Sequence, residues 1–327
     1  MRLVTYQLHG AGRLGGVVGD LLIDLNRASL LPGYDQVELP SSTLGLLELG
    51  PLGVQAAQKA MERATKMYQA GDDAASHCVL ELEGTRLLAP VLVPRKLFCL
   101  AGNYAEHVRE GGGDVPGKER MSPRVFMKPP TTTVRGPQEP IVIPRNGHQI
   151  DWEVELAVVV GKWGKHIPPK QAYEHVAGYT VLNDVSERSL RVNPQRDTQE
   201  WDHFFDWLNG KWMDSFAPMG PCLALKDEID DPQNLQITLK VNGTVRQDSN
   251  TRSMIFSIPE LVAFISSLVT LEPGDVISTG TPSGVGATTG EFLKPGDVVE
   301  ACVEGIGTLE NPVIAEDGPD RGRVSVE

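Results

Sequence analysis

The chain has 327 residues, with 43 acidic against 30 basic side chains, a formal charge of −13, and 40% hydrophobic residues. This composition belongs to a globular protein rather than a disordered chain. The acidic excess argues against nucleic acid and against anionic membranes as partners, since both need clustered Lys and Arg. No apolar run approaches the ~20 residues of a membrane helix, and the N-terminus lacks the apolar core of a signal peptide. The cysteines Cys78, Cys99, Cys222 and Cys302 form no CxxC pair and are expected to be free thiols. A cytoplasmic enzyme is the expectation.

By length the chain should hold about two domain-sized units. Residues 1–90 are expected to form a small α+β domain: a strand at Arg2–Leu8, a strand-like stretch at 16–25 and a helix over 54–68. Prolines in the RLLAPVLVPRK run mark entry into a second unit, 91–327, rich in strands and turns. Strands are expected at 97–100, 124–128, 152–160, 178–185, 235–241 and 244–247, the last two joined by Asn242-Gly243, a type I′ hairpin signal. Helices are few: 104–110, 169–175 and 259–269, the last with a Pro in its first turn. The phrase Leu271-Glu-Pro-Gly-Asp-Val276 recurs as Leu293-Lys-Pro-Gly-Asp-Val298, a turn that throws the chain into a strand. The fold class is therefore mixed α+β and β-rich. No glycine-rich nucleotide motif opens a helix.

Asp151-Trp-Glu153-Val-Glu155-Leu-Ala-Val-Val-Val160 is the most informative stretch. In a strand alternate residues share a face, which places Asp151, Glu153 and Glu155 together. A solvated edge strand would explain such a pattern, but this one runs into AVVV, which should be buried on both faces. Carboxylates at the mouth of a buried strand repel unless a cation compensates them or one is protonated. Another apolar strand, GYTVLND, ends in Asp184. Carboxylates without clustered Cys or His make an all-oxygen site, which favours Mg²⁺, Mn²⁺ or Ca²⁺ over Zn²⁺.

E-x-E before LAVVVG, then GYTVLNDVSERSL, GKWMDSFAPMGP and STGTPSGVG, together resemble the fumarylacetoacetate hydrolase (FAH) family over roughly 97–312. The resemblance implies a mixed β-roll catalytic domain and a divalent metal, Mg²⁺ or Mn²⁺, held by Glu153, Glu155 and Asp184. It also implies a homodimer acting on 2-oxo or 2,4-dioxo acids. His107 and Glu110 match a His–Glu pair on a short helix after a Gly-x-Asn-Tyr motif; positions three apart share a helical face, so the carboxylate can orient an imidazole that activates water. The GGGD run at 111–114 would suit a lid hinge. Lys211 matches a lysine that meets the developing oxyanion, and Arg188 matches an arginine near the substrate. Lys128 matches a lysine near the pocket, with a structural ion pair as the alternative. Thr281 is expected in a loop that binds the substrate carboxylate.

Arg191 departs from the family pattern, where Gln is common. It would bind a second carboxylate, favouring a diacid, or else pair with Asp197 or Asp202. The aromatic stretch Val192–Asn209 would shape the distal end of the substrate or pack in a dimer. The function expected is a metal-dependent hydrolase cleaving a C–C bond of an acylpyruvate-like 2,4-dioxo acid, with a pyruvate enolate as the leaving group. Competing expectations are an oxaloacetate-type decarboxylase or a hydratase or isomerase of aromatic catabolism. From another class, a non-catalytic, metal-stabilised dimer would have no use for His107, Glu110 and Lys211 beside three acids.

Overall fold

The computed structural model describes residues 1–316 except Gln36, Val192 and Pro194, so those two positions of the Val192–Asn209 stretch, and 317–327, lie outside the described residues. Among the described residues twelve strands join one sheet, in the spatial order Val79–Glu81, Leu21–Asp24, Ala11–Val18, Arg2–Leu8, Ala217–Leu225, Val176–Asn183, Val154–Val160, Val276–Ser278, Leu97–Ala101 and Arg124–Met127. Two short strands, Leu87–Leu88 and Val134–Arg135, pair alongside Arg2–Leu8 and Ala217–Leu225. A second sheet runs Thr244–Asn250, Gln236–Val241, Val298–Val303, Gly307–Ala315 and Ile141–Ile143. The fold is mixed α+β and sheet-rich.

Every residue of Val154–Val160 is buried because both faces of this strand are covered. Val154, Leu156, Val158 and Val160 pack with Ile237, Leu239 and Val299 of the second sheet. Ala157 and Val159 belong to the opposite core, with Ala56, Ala57 and Ala60 of the helix Gly50–Gln69. Gly53, Ala56, Ala57, Ala60 and Ala64 form a small-residue stripe at helical spacing, along which this helix is buried.

The expected strand over 16–25 is instead the hairpin of Ala11–Val18 with Leu21–Asp24, followed by the short helix Leu25–Ala28. Gly19, at φ 57° in the connecting turn, makes the reversal that the apolar pattern hides. The expected helix over 169–175 is a 3₁₀ segment. Asn242 and Gly243 have φ 51° and 74°, as a type I′ turn requires. The repeated Pro-Gly-Asp phrase is structural: Asp275 and Asp297 each accept a bond from the backbone N–H three residues earlier, at 2.8 Å, before a strand begins.

The first ninety residues feed the same sheet, through pairing of Arg2 and Leu3 with Ala224 and Leu223. Asp24 anchors this part: fully buried, it accepts from Tyr6 Oη at 2.6 Å, Arg13 Nε at 2.6 Å and the Arg27 N–H at 3.0 Å. Burial alone would raise its pKa, but these donors outweigh burial and hold it below the ordinary aspartate value. The stability it supplies is thus present above the ordinary value and lost as pH falls through the lowered one. Asp24→Ala is expected to cost about 3 kcal/mol by urea denaturation, since it strands Arg13 and the Tyr6 hydroxyl; a loss below about 1 kcal/mol would contradict this role. Among the described residues no helix is long and apolar enough to cross a membrane.

Candidate metal centre

Antiparallel pairing of Val154–Val160 with Val176–Asn183 matches Val154 to Asn183 and Glu155 to Leu182. The start of one strand therefore meets the end of the other, and the Asp184 N–H donates to the Glu153 carbonyl at 2.9 Å. Two-residue periodicity puts Glu153 and Glu155 on one face. Glu153, Glu155 and Asp184 are all buried, each offering a ligand oxygen within 4.8 Å of the others. Asp151, expected on the same face, turns elsewhere. It accepts from the N–H groups of Gly286 at 2.6 Å and Ala287 at 3.0 Å and from Arg188 Nε at 2.8 Å, clamping the loop that enters the short helix Gly286–Thr289 to the acidic strand.

Three cations face these four carboxylates. Lys211 Nζ donates to Glu153 Oε2 at 2.8 Å and Asp184 Oδ2 at 2.7 Å. Lys128 Nζ donates to Asp184 Oδ1 and to the Val185 carbonyl, so this lysine makes the ion pair offered as its alternative role. Arg188 bridges Asp151 and Glu153. Lys211 is delivered through Gly210, where a Cβ would lie 2.3 Å from the Glu187 carbonyl oxygen; only glycine lets the chain pass there. Its ammonium lies 5.3 Å from the Phe126 ring centroid and 5.9 Å from that of Trp207. Trp207 thus covers the site's lysine, while Trp201, Phe204 and Phe205 of the same stretch are exposed.

Among the described residues Glu155 has no cation of its own. Its Oε2 accepts from Ser278 Oγ and from the Gly280 N–H at 2.7 Å, and its buried Oε1 has no partner among those residues. Burial, then the charges of Asp184 and Glu153, push its pKa well above the ordinary glutamate value. Burial also acts on Glu153, but the charges of Lys211 and Arg188 outweigh it and hold that carboxyl low. The two lysines divide in the same way. Burial and the charge of Lys211 depress Lys128 against its single carboxylate. Lys211, equally buried, has two carboxylates and is raised. An orphaned acceptor in an all-carboxylate cluster fits a hard divalent cation.

His107 and Glu110 sit on the helix Ala105–Glu110 with Nδ1 2.8 Å from Glu110 Oε1. Glu110 Oε2 accepts from the Gly284 N–H at 2.8 Å and from Thr288 Oγ1 at 3.3 Å, which docks the helix on the loop that Asp151 clamps. Burial opposes ionisation of Glu110, but the bonds from His107, the Gly284 N–H and Thr288 outweigh it and hold its pKa below the ordinary glutamate value. His107 is also among the groups whose charge interaction lowers Glu153, which puts it within electrostatic reach of the acids.

Thr281 is buried with its hydroxyl donating to the Val154 carbonyl at 2.9 Å and accepting from Gln247 Nε2 at 2.8 Å. In this loop Ser278 and Gly280 are the groups turned toward the acids, and both hold Glu155. Arg191 is exposed, and the ion pairs of its segment with Asp202 and Asp206 are made by Arg196. Sequence reasoning missed the Asp151 clamp and the pair of groups orienting Glu155; the STG in STGTP was the available signal for the latter.

The sheet-rich mixed fold thus carries a buried Glu–Glu–Asp triad that could hold a divalent metal, and a His–Glu pair tied to the same strand through the 284–287 segment. Residues 96–314, two thirds of the chain, match the fumarylacetoacetate (FAA) hydrolase C-terminal family, so the chain belongs to that family, whose members are enzymes. The mitochondrial oxaloacetate tautomerase fahd2 of Xenopus laevis is 41% identical over 320 residues, 96% of this chain and 90% of that protein. A fumarylacetoacetate hydrolase from Exiguobacterium antarcticum superimposes with a TM-score of 0.73 at 31% identity, covering 97% of this chain and all of the other. A maleylpyruvate hydrolase from Sphingobium sp. SYK-6, solved with manganese(II) and pyruvate, gives 0.68 at 27% identity over 96% and 99% of the two chains.

Proposed function

We propose that this chain is a Mg²⁺- or Mn²⁺-dependent enzyme that moves a proton at the carbon beside the keto group of a small 2-oxo acid, with enol–keto tautomerisation of oxaloacetate as its reaction. The observation that carries this reading is the His107–Glu110 pair, docked through Gly284 on the segment that Asp151 ties to the acidic strand. Glu153, Glu155 and Asp184 would hold the cation, which supplies Lewis-acid stabilisation of negative charge on the keto oxygen. Glu110, a carboxylate, accepts from Nδ1 and leaves Nε2 as the nitrogen that takes up or returns the proton. Lys211 uses two of its three N–H donors on Glu153 and Asp184, which leaves one for an anionic ligand. With a divalent cation and Glu155 ionised, the centre carries one net positive charge over its four carboxylates and three cations, which suits an anionic substrate.

The choice of oxaloacetate rests on the tautomerase relative, which matches nearly the whole chain. A second reading, hydrolytic C–C cleavage of a 2,4-dioxo acid, is favoured by the likeness to maleylpyruvate hydrolase. It uses the same enolate chemistry with His107 activating water. The deciding assay follows enol-oxaloacetate by ultraviolet absorbance, and acylpyruvates by NMR of the products. Acceleration of ketonisation that a chelator abolishes and Mg²⁺ or Mn²⁺ restores is expected. Pyruvate and a second acid appearing from an acylpyruvate would favour cleavage, and no metal-dependent acceleration of either would refute both.

A further inference from the structure

The stretch that carries Glu153 and Glu155 is supported unequally along its two edges. On one edge it pairs with Val176–Asn183, and the ladder continues past Val154: the Glu153 N–H donates to Asn183 Oδ1 at 2.9 Å and the Glu153 carbonyl accepts from the Asp184 N–H. On the other edge the partner strand Val276–Ser278 reaches only Ala157–Val159. Thr279 extends that support as far as the Leu156 carbonyl, through its N–H at 3.0 Å and its hydroxyl at 2.8 Å. At Val154, the residue between the two glutamates, side chains alone serve this edge among the described residues. Its carbonyl accepts from Thr281 Oγ1 and its N–H donates to Gln247 Oε1, both at 2.9 Å.

Gln247 comes from the strand Thr244–Asn250 of the second sheet, 93 residues beyond Val154, where it pairs with the buried Leu239 and is itself 1% exposed. Burying an amide is unfavourable unless its groups are bonded. Here Nε2 donates to Thr281 Oγ1 and to the Pro282 carbonyl, each at 2.8 Å. These bonds fix which way the amide faces, since its NH₂ must meet the Pro282 carbonyl and its oxygen the Val154 N–H. The segment it grips is held just as closely. A Cβ on Gly284 would lie 2.1 Å from the Arg246 carbonyl oxygen, so this segment lies against the backbone of the Gln247 strand. One side chain thus does at Val154 what a neighbouring strand does farther along.

We propose that Gln247 is a positioning residue of the metal centre: by holding the Val154 N–H it fixes the backbone from which Glu153 and Glu155 project, and with it the spacing of their carboxylates. This rests on the metal-dependent reading above. The amide is bonded to protein groups and acts through the two glutamates.

Gln247→Met keeps the approximate volume and removes the amide; Gln247→Asn keeps an amide and draws it back by one carbon. Mn²⁺ is titrated by calorimetry into each metal-free chain well below its melting temperature, so that folded protein alone is measured. Mn²⁺ affinity is expected to fall about 10-fold or more in Gln247→Met, as when a group that orients a metal ligand is lost. Gln247→Asn is expected to fall in the same direction. The control is Ile265→Ala in the helix Ile258–Leu268, a buried side chain of the same apolar core. It should melt several degrees lower than the parent, with Mn²⁺ affinity within about twofold. Parent-like Mn²⁺ affinity in either Gln247 variant overturns the proposal, whatever its melting temperature. So does an equal loss of affinity in Ile265→Ala, since stability alone would then govern binding. Failure of both Gln247 variants to fold also overturns it, because the amide would then serve the fold as a whole. If the parent itself binds no Mn²⁺, the metal-dependent reading fails and takes this proposal with it; the other outcomes leave that reading standing.

Discussion

Glu155→Gln is expected to abolish metal-dependent turnover, a loss on the order of 10³-fold or more, while leaving the metal-free chain at least as stable as the parent. The two effects come from one fact: among the described residues Glu155 is the triad member without a cation partner. Glutamine keeps a carbonyl oxygen for Ser278 and Gly280 but cannot ionise. With its pKa raised in the folded state, Glu155 contributes stability below the ordinary glutamate value that is lost as pH rises through the raised one. The metal-free parent should therefore lose stability as pH is raised above the ordinary glutamate range, and the variant should lose less. Metal binding must displace the same proton, so affinity in the parent weakens toward acid. Asp184→Ala should behave in the opposite way without metal. It leaves Lys128 and Lys211 buried without the carboxylate they share, at a cost of about 3–5 kcal/mol. Calorimetric Mn²⁺ titration and thermal melts at several pH values separate these outcomes. A Glu155→Gln chain that binds Mn²⁺ as tightly as the parent would remove Glu155 from the ligand set.

The contrast within the triad shows where sequence reasoning reaches its limit. The E-x-E spacing is legible because strand geometry alone puts alternate carboxylates on one face, and the buried AVVV run shows that this face is not solvent. Asp184 is legible for the same reason, as an acid closing an apolar strand. Which acid each cation would choose is not legible. Lys128, Lys211 and Arg188 reach the acids from positions 56, 58 and 35 residues away along the chain, through contacts that no local pattern encodes. Asp151 shares the periodic face, yet it is claimed by the N–H groups of Gly286 and Ala287, 135 and 136 residues on. Thr281 stands in a loop whose composition suits anion binding. Its hydroxyl is committed to Val154 and Gln247 because the loop runs beside the acidic strand. The Gly19 turn was missed for a local reason: apolar residues on both sides of it made two strands look like one.

The His–Glu pair gives the second large effect. His107→Ala is expected to slow proton transfer by about 10²–10⁴-fold, and to spare oxaloacetate decarboxylation, which needs no base to generate its enolate. Glu110→Gln tests the orientation of the ring rather than its presence. As a carboxylate Glu110 can only accept, so Nδ1 carries the proton and Nε2 keeps its lone pair. A glutamine amide can donate to Nδ1 instead, which moves the proton to Nε2 and removes the base from the position where it is needed. Glutamine can still accept from the Gly284 N–H through its carbonyl oxygen, so the helix stays docked on the 284–287 loop and thermal stability stays near that of the parent. A turnover loss approaching that of His107→Ala, with Nε2 protonated by ¹⁵N NMR, is the expected result, as in other imidazole–carboxylate pairs where the amide inverts the tautomer. Parent-like turnover in Glu110→Gln would mean that the carboxylate serves only to hold the helix to the loop, and that the imidazole works without an orienting partner.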